Sequence, residues 1–576
     1  MSMEQNNLIN SIDEQTLDDI FNFVYGRFIS LKQQRDDQDA IVLDDIKKYN
    51  SIPEQDKEEW EANYFVPYTF EIIKAVYPRL YYSLFGEDKW ITATPNSEEE
   101  VGKSQAMTTW ILRFLEAVGM KKKSKQIIKA ALIYPNVVVK EFFDKNTKLP
   151  NFKLIDYFDY WQDISYSTIE DAPDRIVRKV LNGSQVKTRF NNGYYSHKDV
   201  NSVLESSMDT DIADLQATAL GYFLDNSYEK TVAQTDKEKK NLGLYEVLEY
   251  YGLYDIDGDG INEDVIFTII NRRFLVRITK NENNRPPFVL FQTDIEPIGF
   301  YPKSYVRALK PAQKTLNDIV DNRFDNLNLI LNKMFKVRRN TYLDFDELFA
   351  APGQTVVVDE MEDVQEFRIS NIISDSYKQE ELTRRDMDTM SGMFNMAGIG
   401  SDTATMGQIY TNEAMTRYRE PLDLLAESFI KLIKDLLILA KDYADEITML
   451  RVKSIDESTI FDLTKEDIRN DYSLKINFKT FMPNKQKVVQ DLVMLLNVVG
   501  QLPGINVKAY VKNIFDMLDE VKNPEEIFQE TPAQPNAPVQ VSKSAGELQD
   551  VNPVNPMLEV SKAGDLSPIE KKLGLE

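Results

Sequence analysis

The sequence predicts an α+β fold that is mainly helical. Long segments at 14–35, 303–335 and about 411–446 carry apolar residues at three-to-four spacing, the mark of packed helices. Between them lie two blocks of short alternating segments, at 136–190 and 245–296, punctuated by Asp, Asn, Gly and Pro, which read as strands. Third, the chain has no cysteine and a single histidine, His197. That excludes disulfides, thiol catalysis, cysteine-ligated metals and multi-histidine zinc sites, and it fits folding in a reducing cytoplasm.

In chain order, Leu17, Ile20, Phe21, Val24, Phe28 and Leu31 define the first helix, and a polar loop follows around 51–56. Residues 70–84 form an apolar and aromatic segment, and 103–132 give two helical patterns split near Gly119. Strands are expected at 136–143, 153–158, 175–181 and 184–190, then a weaker helix over 197–224. The second block predicts strands at 245–254, 264–270 and 274–278. In the helix at 303–335, Leu309, Ala312, Leu316, Val320, Phe324, Leu327, Leu331 and Met334 make one stripe. Asn317, Asp318, Asp321, Asn322, Asp325, Asn326 and Asn328 fill the other faces, so this helix should pack on one side and meet water on another. Pro311 should kink it or mark its start. Residues 340–368 are irregular and then strand-like, and a helix is expected at about 374–394. A glycine-bearing loop over 396–411 leads into the helix at 411–446, where Pro421 should kink the chain. Residues 485–521 are helical again, and beyond Thr531 prolines stud a polar, extended tail.

The 576 residues suffice for several domains, and a hydrophobic fraction of 42% supports large cores. The 28 Tyr and 30 Phe are what extensive packed interfaces require. Asp plus Glu outnumber Lys plus Arg by 93 to 68, a formal net charge of −25. Such a surface repels nucleic acid on average, so any DNA contact must come from a local basic patch. The polar start of the chain predicts no signal peptide, and no segment predicts a membrane span.

The sharpest motif is Asp255-Ile256-Asp257-Gly258-Asp259-Gly260, with Glu263 beyond it. Carboxylates at alternate positions around a tight glycine turn are the ligand spacing of a calcium loop. Position twelve is Ile266 instead of a bidentate Glu, and the flanks read as strands, which rejects an EF-hand. Two readings stand: a loop for calcium or another divalent ion held by Asp255, Asp257, Asp259 and Glu263, or an acidic turn without metal. Gly102-Lys103-Ser104 imitates the end of a phosphate-binding loop, but Glu98, Glu99 and Glu100 stand where phosphates would lie, so a helix start is the better reading. Of the basic clusters, Lys121, Lys122, Lys123 and Lys125 read as a solvated helix face. Lys333, Lys336, Arg338 and Arg339 follow the long helix directly and are the candidates for touching DNA phosphates. His197, among polar neighbours, reads as a surface residue. No serine elbow, HExxH or GxGxxG is present, so the residues do not indicate an enzyme.

The order of parts resembles the portal proteins of tailed double-stranded DNA bacteriophages, of the short-tailed phage type. The residues carrying it are Val66-Pro67-Tyr68-Thr69-Phe70-Glu71-Ile72-Ile73, the run Asp159-Tyr160-Trp161-Gln162-Asp163, the acidic turn, and Gly299-Phe300-Tyr301-Pro302-Lys303-Ser304 leading to Gln313, Asn317 and Asn322. It covers about 15–520. The resemblance implies a homo-oligomeric, dodecameric ring with wing, stem, clip and crown regions around a DNA channel at one capsid vertex. Its implied partners are the terminase large subunit, the major capsid protein, head-completion or tail adaptor proteins, and double-stranded DNA held without sequence specificity. It implies no cofactor and no hydrolysis, since the ATPase is the terminase. By position, 1–195 would be most of the wing, 196–229 the first stem helix, 230–300 the clip and 301–334 the second stem helix. The tunnel-loop region would be 335–368, the wing return 369–479, the crown helices 480–530 and the Pro-rich tail 531–576. The competing readings are another virion assembly protein, such as a head–tail adaptor or scaffold, and a hydrolase without a recognised motif.

Overall fold

The first helix is longer than its apolar pattern. Helix α1 (Glu14–Tyr49) starts at a side-chain cap, the Asp13 carboxylate accepting the Thr16 N–H at 3.1 Å. It buries Ile20, Val24, Phe28 and Leu31 as expected, then runs on well past residue 35. Its second half buries Val42, Ile46 and Tyr49, with charged residues buried beside them. The Arg35 guanidinium donates to the carbonyls of Tyr157 and Phe158, both at 3.1 Å, pairs with Asp39 at 2.9 Å and lies 4.4 Å from the Trp161 ring centroid. Asp45 accepts from Arg307 at 3.0 Å. The buried charges Arg35 and Asp39 interrupt the apolar spacing between Leu31 and Val42, so the pattern broke while the helix ran on.

The computed structural model describes residues 7–53, 57–58, 61–95, 104–206, 208–209, 211–223, 243–281, 285–332, 334–338, 364–367, 369–392, 404–443, 451–453, 460–462 and 472–477. The chain divides into two units, Met1–Pro483 and Asn484–Glu576, and every described residue belongs to the first. The expected helices at 485–521 and the Pro-rich tail therefore lie outside the described residues.

Helix α2 (Tyr68–Phe85), strand β1 (Ile91–Pro95), and helices α3 (Ser104–Ala117) and α4 (Met120–Ile133) follow. Gly119, with φ +76°, makes the left-handed turn that separates α3 from α4, as its position in the sequence suggested. The first strand block gives β2 (Val137–Asp144), β3 (Leu149–Leu154), a 3-10 helix (Tyr157–Asp159), β4 (Tyr160–Gln162) and β5 (Asp174–Asn182). Residues expected as a strand at 184–190 instead form helix α5 (Gly183–Asn191). The reason is a capping box: Asn182 accepts the Gln185 N–H at 2.8 Å while the Gln185 side chain accepts the Asn182 N–H at 3.1 Å. In place of a single helix over 197–224 there are two, α6 (Val200–Glu205) and α7 (Asp211–Phe223). Helix α7 packs on α1, and Asp211 at its start meets Lys32 and Arg272, each at 2.7 Å.

The second block gives β6 (Leu244–Tyr254), β7 (Glu263–Ile270), β8 (Phe274–Lys280) and β9 (Phe288–Phe291). Strands β4-β5-β6-β7-β8 form one antiparallel sheet in that order, and β3-β2-β9 a second. Each sheet draws strands from both blocks.

Helix α8 (Tyr305–Leu331) is capped by Ser304, whose hydroxyl accepts the Arg307 N–H at 3.1 Å, so Pro311 lies inside it and does not start it. Strands β10 (Met334–Val337) and β11 (Val364–Phe367) pair antiparallel, and helix α9 (Ile373–Ser391) returns along α8. Helix α10 (Ala404–Asp442) begins inside the segment expected as a loop; Gly407 suggested a break, but a helix tolerates one glycine at a cost of about 1 kcal/mol. Its Leu425, Phe429, Leu432, Ile433 and Leu436 are buried over the β3-β2-β9 sheet, with the Phe429 ring 5.1 Å from Phe85 and 4.8 Å from Phe291. Short strands β12 (Arg451–Lys453) and β13 (Ile460–Asp462) pair together, and β14 (Tyr472–Ile476) pairs with β1.

Candidate functional site

The polar face of α8 was expected to meet water. Part of it does: Lys314, Thr315, Asp318, Asn322 and Asn328 are exposed. The adjoining row is occupied by the chain itself. Asp325 accepts the Ala62 N–H at 2.6 Å, Asp321 the Tyr64 N–H at 2.7 Å, Asn317 the Val66 N–H at 3.2 Å, and Gln313 the Thr69 N–H at 2.9 Å. Gln313 also donates to the Val66 carbonyl at 2.7 Å. Because Pro67 gives α2 no side-chain cap, Gln313 serves its N-terminus from another helix. Two groups of residues that carried the sequence resemblance, 66–69 and 313–317, are thus brought into contact.

Beyond α8 the chain enters the β10–β11 ladder, where Lys336 stands opposite Gln365. Lys336 is exposed, its ammonium 4.8 Å from the Phe367 ring centroid, and Arg338 is exposed just past the ladder. Lys333 and Arg339, the other two candidates for DNA contact, lie outside the described residues.

The acidic motif is a hairpin loop between β6 and β7, as its strand-like flanks suggested. Asp255, Asp257 and Glu263 offer carboxylate oxygens within 4.8 Å of one another; Asp259 does not join them. Gly258 (φ +75°) and Gly260 (φ +84°) make the left-handed turns that the loop needs. Both Asp255 oxygens already accept N–H groups, from Gly258 at 2.7 Å and Gly260 at 2.9 Å, and Asp259 accepts from Ile261 at 2.7 Å. Glu263 accepts from Lys280, which holds its carboxyl below the ordinary value, and from the Ile256 N–H at 3.0 Å. These bonds order the loop and leave the carboxylate oxygens' remaining lone pairs facing one another, a geometry common to both readings of the motif.

The other motifs are absorbed into structure. Ser104 opens α3 with its hydroxyl donating to the Ala93 carbonyl at 2.6 Å, while Gly102 and Lys103 lie outside the described residues. Lys123 donates to the Phe152 carbonyl at 3.0 Å, and Lys125 lies over the Tyr81 ring. His197 is half-buried, its ring 5.2 Å from that of Phe274, and it accepts the Asp199 N–H at 3.1 Å.

Sequence reading missed the buried charge networks. Arg178 pairs with Glu246 at 2.7 Å across 68 residues of chain, and Arg272 meets the same carboxylate at 2.7 Å. Glu249 accepts from Lys140 at 2.8 Å and Lys179 at 2.7 Å. Burial pushes the Lys179 ammonium down to about 8, against the pull of Glu249. Glu141 and Asp435 share Arg285, at 2.7 and 2.8 Å, tying β2 to α10. Only the sheet register brings such distant partners together.

The charged clusters described above join one element to another within the subunit. The chain matches the family model described as Phage SU10 portal protein over residues 155–552 and belongs to that family. It is a bacteriophage portal protein, a capsid-associated component of the virion at the head–tail connection, and the family is structural, not enzymatic. A search of curated proteins finds no match. Among the described residues, no helix is long and apolar enough to cross a membrane.

Proposed function

We propose that this portal subunit forms a dodecameric ring at one capsid vertex, through which double-stranded DNA enters during packaging and leaves at ejection. The terminase large subunit docks on it first, head-completion or tail adaptor proteins replace the motor, and the major capsid protein surrounds the ring. Within the subunit we assign α8 and α9 as the two stem helices and the connection 332–372 as the clip, in place of 196–229 and 301–334 for the stem and 230–300 for the clip. The observation that carries this reading is the return of α9 along α8 through the β10–β11 ladder, with Arg323 and Glu380 paired at 2.6 Å between the helices. By contrast, the strands at 244–280 continue the sheet begun by β4 and β5. A projecting helix pair has two long sides for neighbouring copies and one end for a docking partner.

Lys336 and Arg338 then stand at the junction of stem and clip as DNA-contact points, and Lys333 and Arg339, near them in sequence, are assigned the same role. On a subunit of net charge −25, a few cations touch phosphates without the counterion release that would capture the duplex. No divalent ion enters this function.

Native mass measurement of the purified protein tests the ring: a dodecamer is expected, and a strict monomer would overturn the reading. In the variant Lys336→Glu with Arg338→Glu, rings should form normally while DNA packaging falls. Unchanged packaging by intact variant rings would remove the contact assignment alone.

A further inference from the structure

The row Gln313, Asn317, Asp321 and Asp325 recurs every four residues along α8, a rise of about 6 Å per step. The amides that three of these side chains bind, on Ala62, Tyr64 and Val66, recur every second residue of an extended segment, a step of about 6.6 Å. The two spacings match closely enough for one helix face to stand in for the edge of a sheet. Recognition runs through the backbone: Asn63 and Tyr64 have exposed side chains, and only Val66 of this stretch is buried. Lys57 fastens the start of the segment, donating to Asp321 and to the Ala62 carbonyl at 3.0 Å.

The position of this row along α8 gives it a consequence. Up to Val320 the helix is anchored by apolar burial, through Val306, Leu309, Leu316 and Val320. Past Val320 its buried residues are Asp321 and Asn326. Asn326 and Arg323 bond to Ser370 and Glu380, on the α9 side, so they tie the outer halves of the pair to each other and not to the body. The Tyr64 and Phe324 rings meet at 5.9 Å, but both are largely exposed, at 56% and 41%.

We infer that the Gln313–Asn317–Asp321–Asp325 row is a binding site for an extended peptide backbone, filled here by residues 62–66, and that this strap latches the outer half of α8 to the body. With the strap seated, residues 321–331 are held in place. With it released, the outer ends of α8 and α9 are free to move together about the apolar anchor that ends at Val320. The site holds the segment through alternate backbone N–H groups, and Val66 and the Tyr64 ring add side-chain contacts.

Hydrogen exchange on the full-length protein tests this. In Asp321→Ala with Asp325→Ala, the amides of Ala62 and Tyr64 should exchange at least about tenfold faster, the cost of losing a buried acceptor. Residues 321–331 should follow, with 305–316 unchanged. In Asp321→Asn with Asp325→Asn the side-chain oxygens still accept, and protection should return. Unchanged exchange at 62 and 64 in the alanine variant would overturn the site; faster exchange there without any change at 321–331 would overturn the latch. If asparagine behaves like alanine, the Lys57 ion pair holds the segment and backbone reading is wrong. Should the alanine variant not fold, Tyr64→Pro, which deletes one N–H, against Tyr64→Ala, which keeps it, decides the same question: equal protection in both overturns the site.

Discussion

The five-stranded sheet and the α8–α9 pair hold their charged residues in opposite ways. In the sheet, Arg178 and Glu246 meet with both side chains fully buried, and Arg272 closes on the same carboxylate. In the helix pair, Arg323 and Arg384 share a partly covered Glu380, and of the strap's acceptors Asp321 is buried and Asp325 half-buried. A buried pair stripped of one member leaves a charge that water cannot reach, so the sheet is locked. An ion pair with partial access to water is worth less than a fully buried one, so Glu380 and its arginines hold the helix pair less tightly than Glu246 holds the sheet.

The largest expected effect breaks the locked side. Glu246→Ala removes the carboxylate that Arg178 and Arg272 share and should cost about 3–5 kcal/mol in urea unfolding. Arg384→Ala, on the helix pair, should cost less than about 1 kcal/mol. Similar costs for the two would erase the contrast.

A second test sharpens it through pH. Burial, reinforced by Asp435 nearby, pushes the Glu141 carboxyl up to about 8, with Arg285 opposing. The folded state therefore binds this proton more tightly than the unfolded chain, where the ordinary value is 4.5. The stabilisation is complete below the unfolded value and is lost as pH rises through the folded one. Wild-type stability should fall from about pH 5 to pH 8, and Glu141→Gln, neutral throughout, should flatten that slope. Parallel melting curves for the two proteins across this range would show that Glu141 is ionised when folded.

The smallest effect concerns the hairpin at the end of the locked sheet. With the Asp255 and Glu263 oxygens already bonded, Asp257→Ala should change stability by less than about 0.5 kcal/mol. Calorimetry with millimolar calcium should register no binding heat. Heat that disappears in Asp257→Ala would restore the ion-loop reading.

Much of the helical framework was legible because its apolar residues repeat at helical spacing, as in 303–335 and 374–394. Glycine marked the α3–α4 break through φ, and the Asp–Gly run marked a hairpin tip between strands. What misled the pattern was local: the Asn182–Gln185 box turned an apparent strand into α5, and the buried charges Arg35 and Asp39 interrupted the apolar stripe of α1 before it resumed at Val42. The short polar residues of α8 were visible as a face, yet their row of backbone acceptors was not, because the segment they hold is some 250 positions away in the chain.

By itself the sequence determined the class of fold, the acidic and cysteine-free character, the absence of a familiar catalytic motif and the order of parts that resembles a portal. These are local or compositional properties, written in spacing and charge. Tertiary structure alone decided which strands share a sheet, which carboxylates meet which guanidinium groups, and that the helix returning along α8 is α9. Those outcomes depend on contacts between residues far apart in the chain, and a side chain's partner is fixed by the register of whole elements, which no single window of sequence contains.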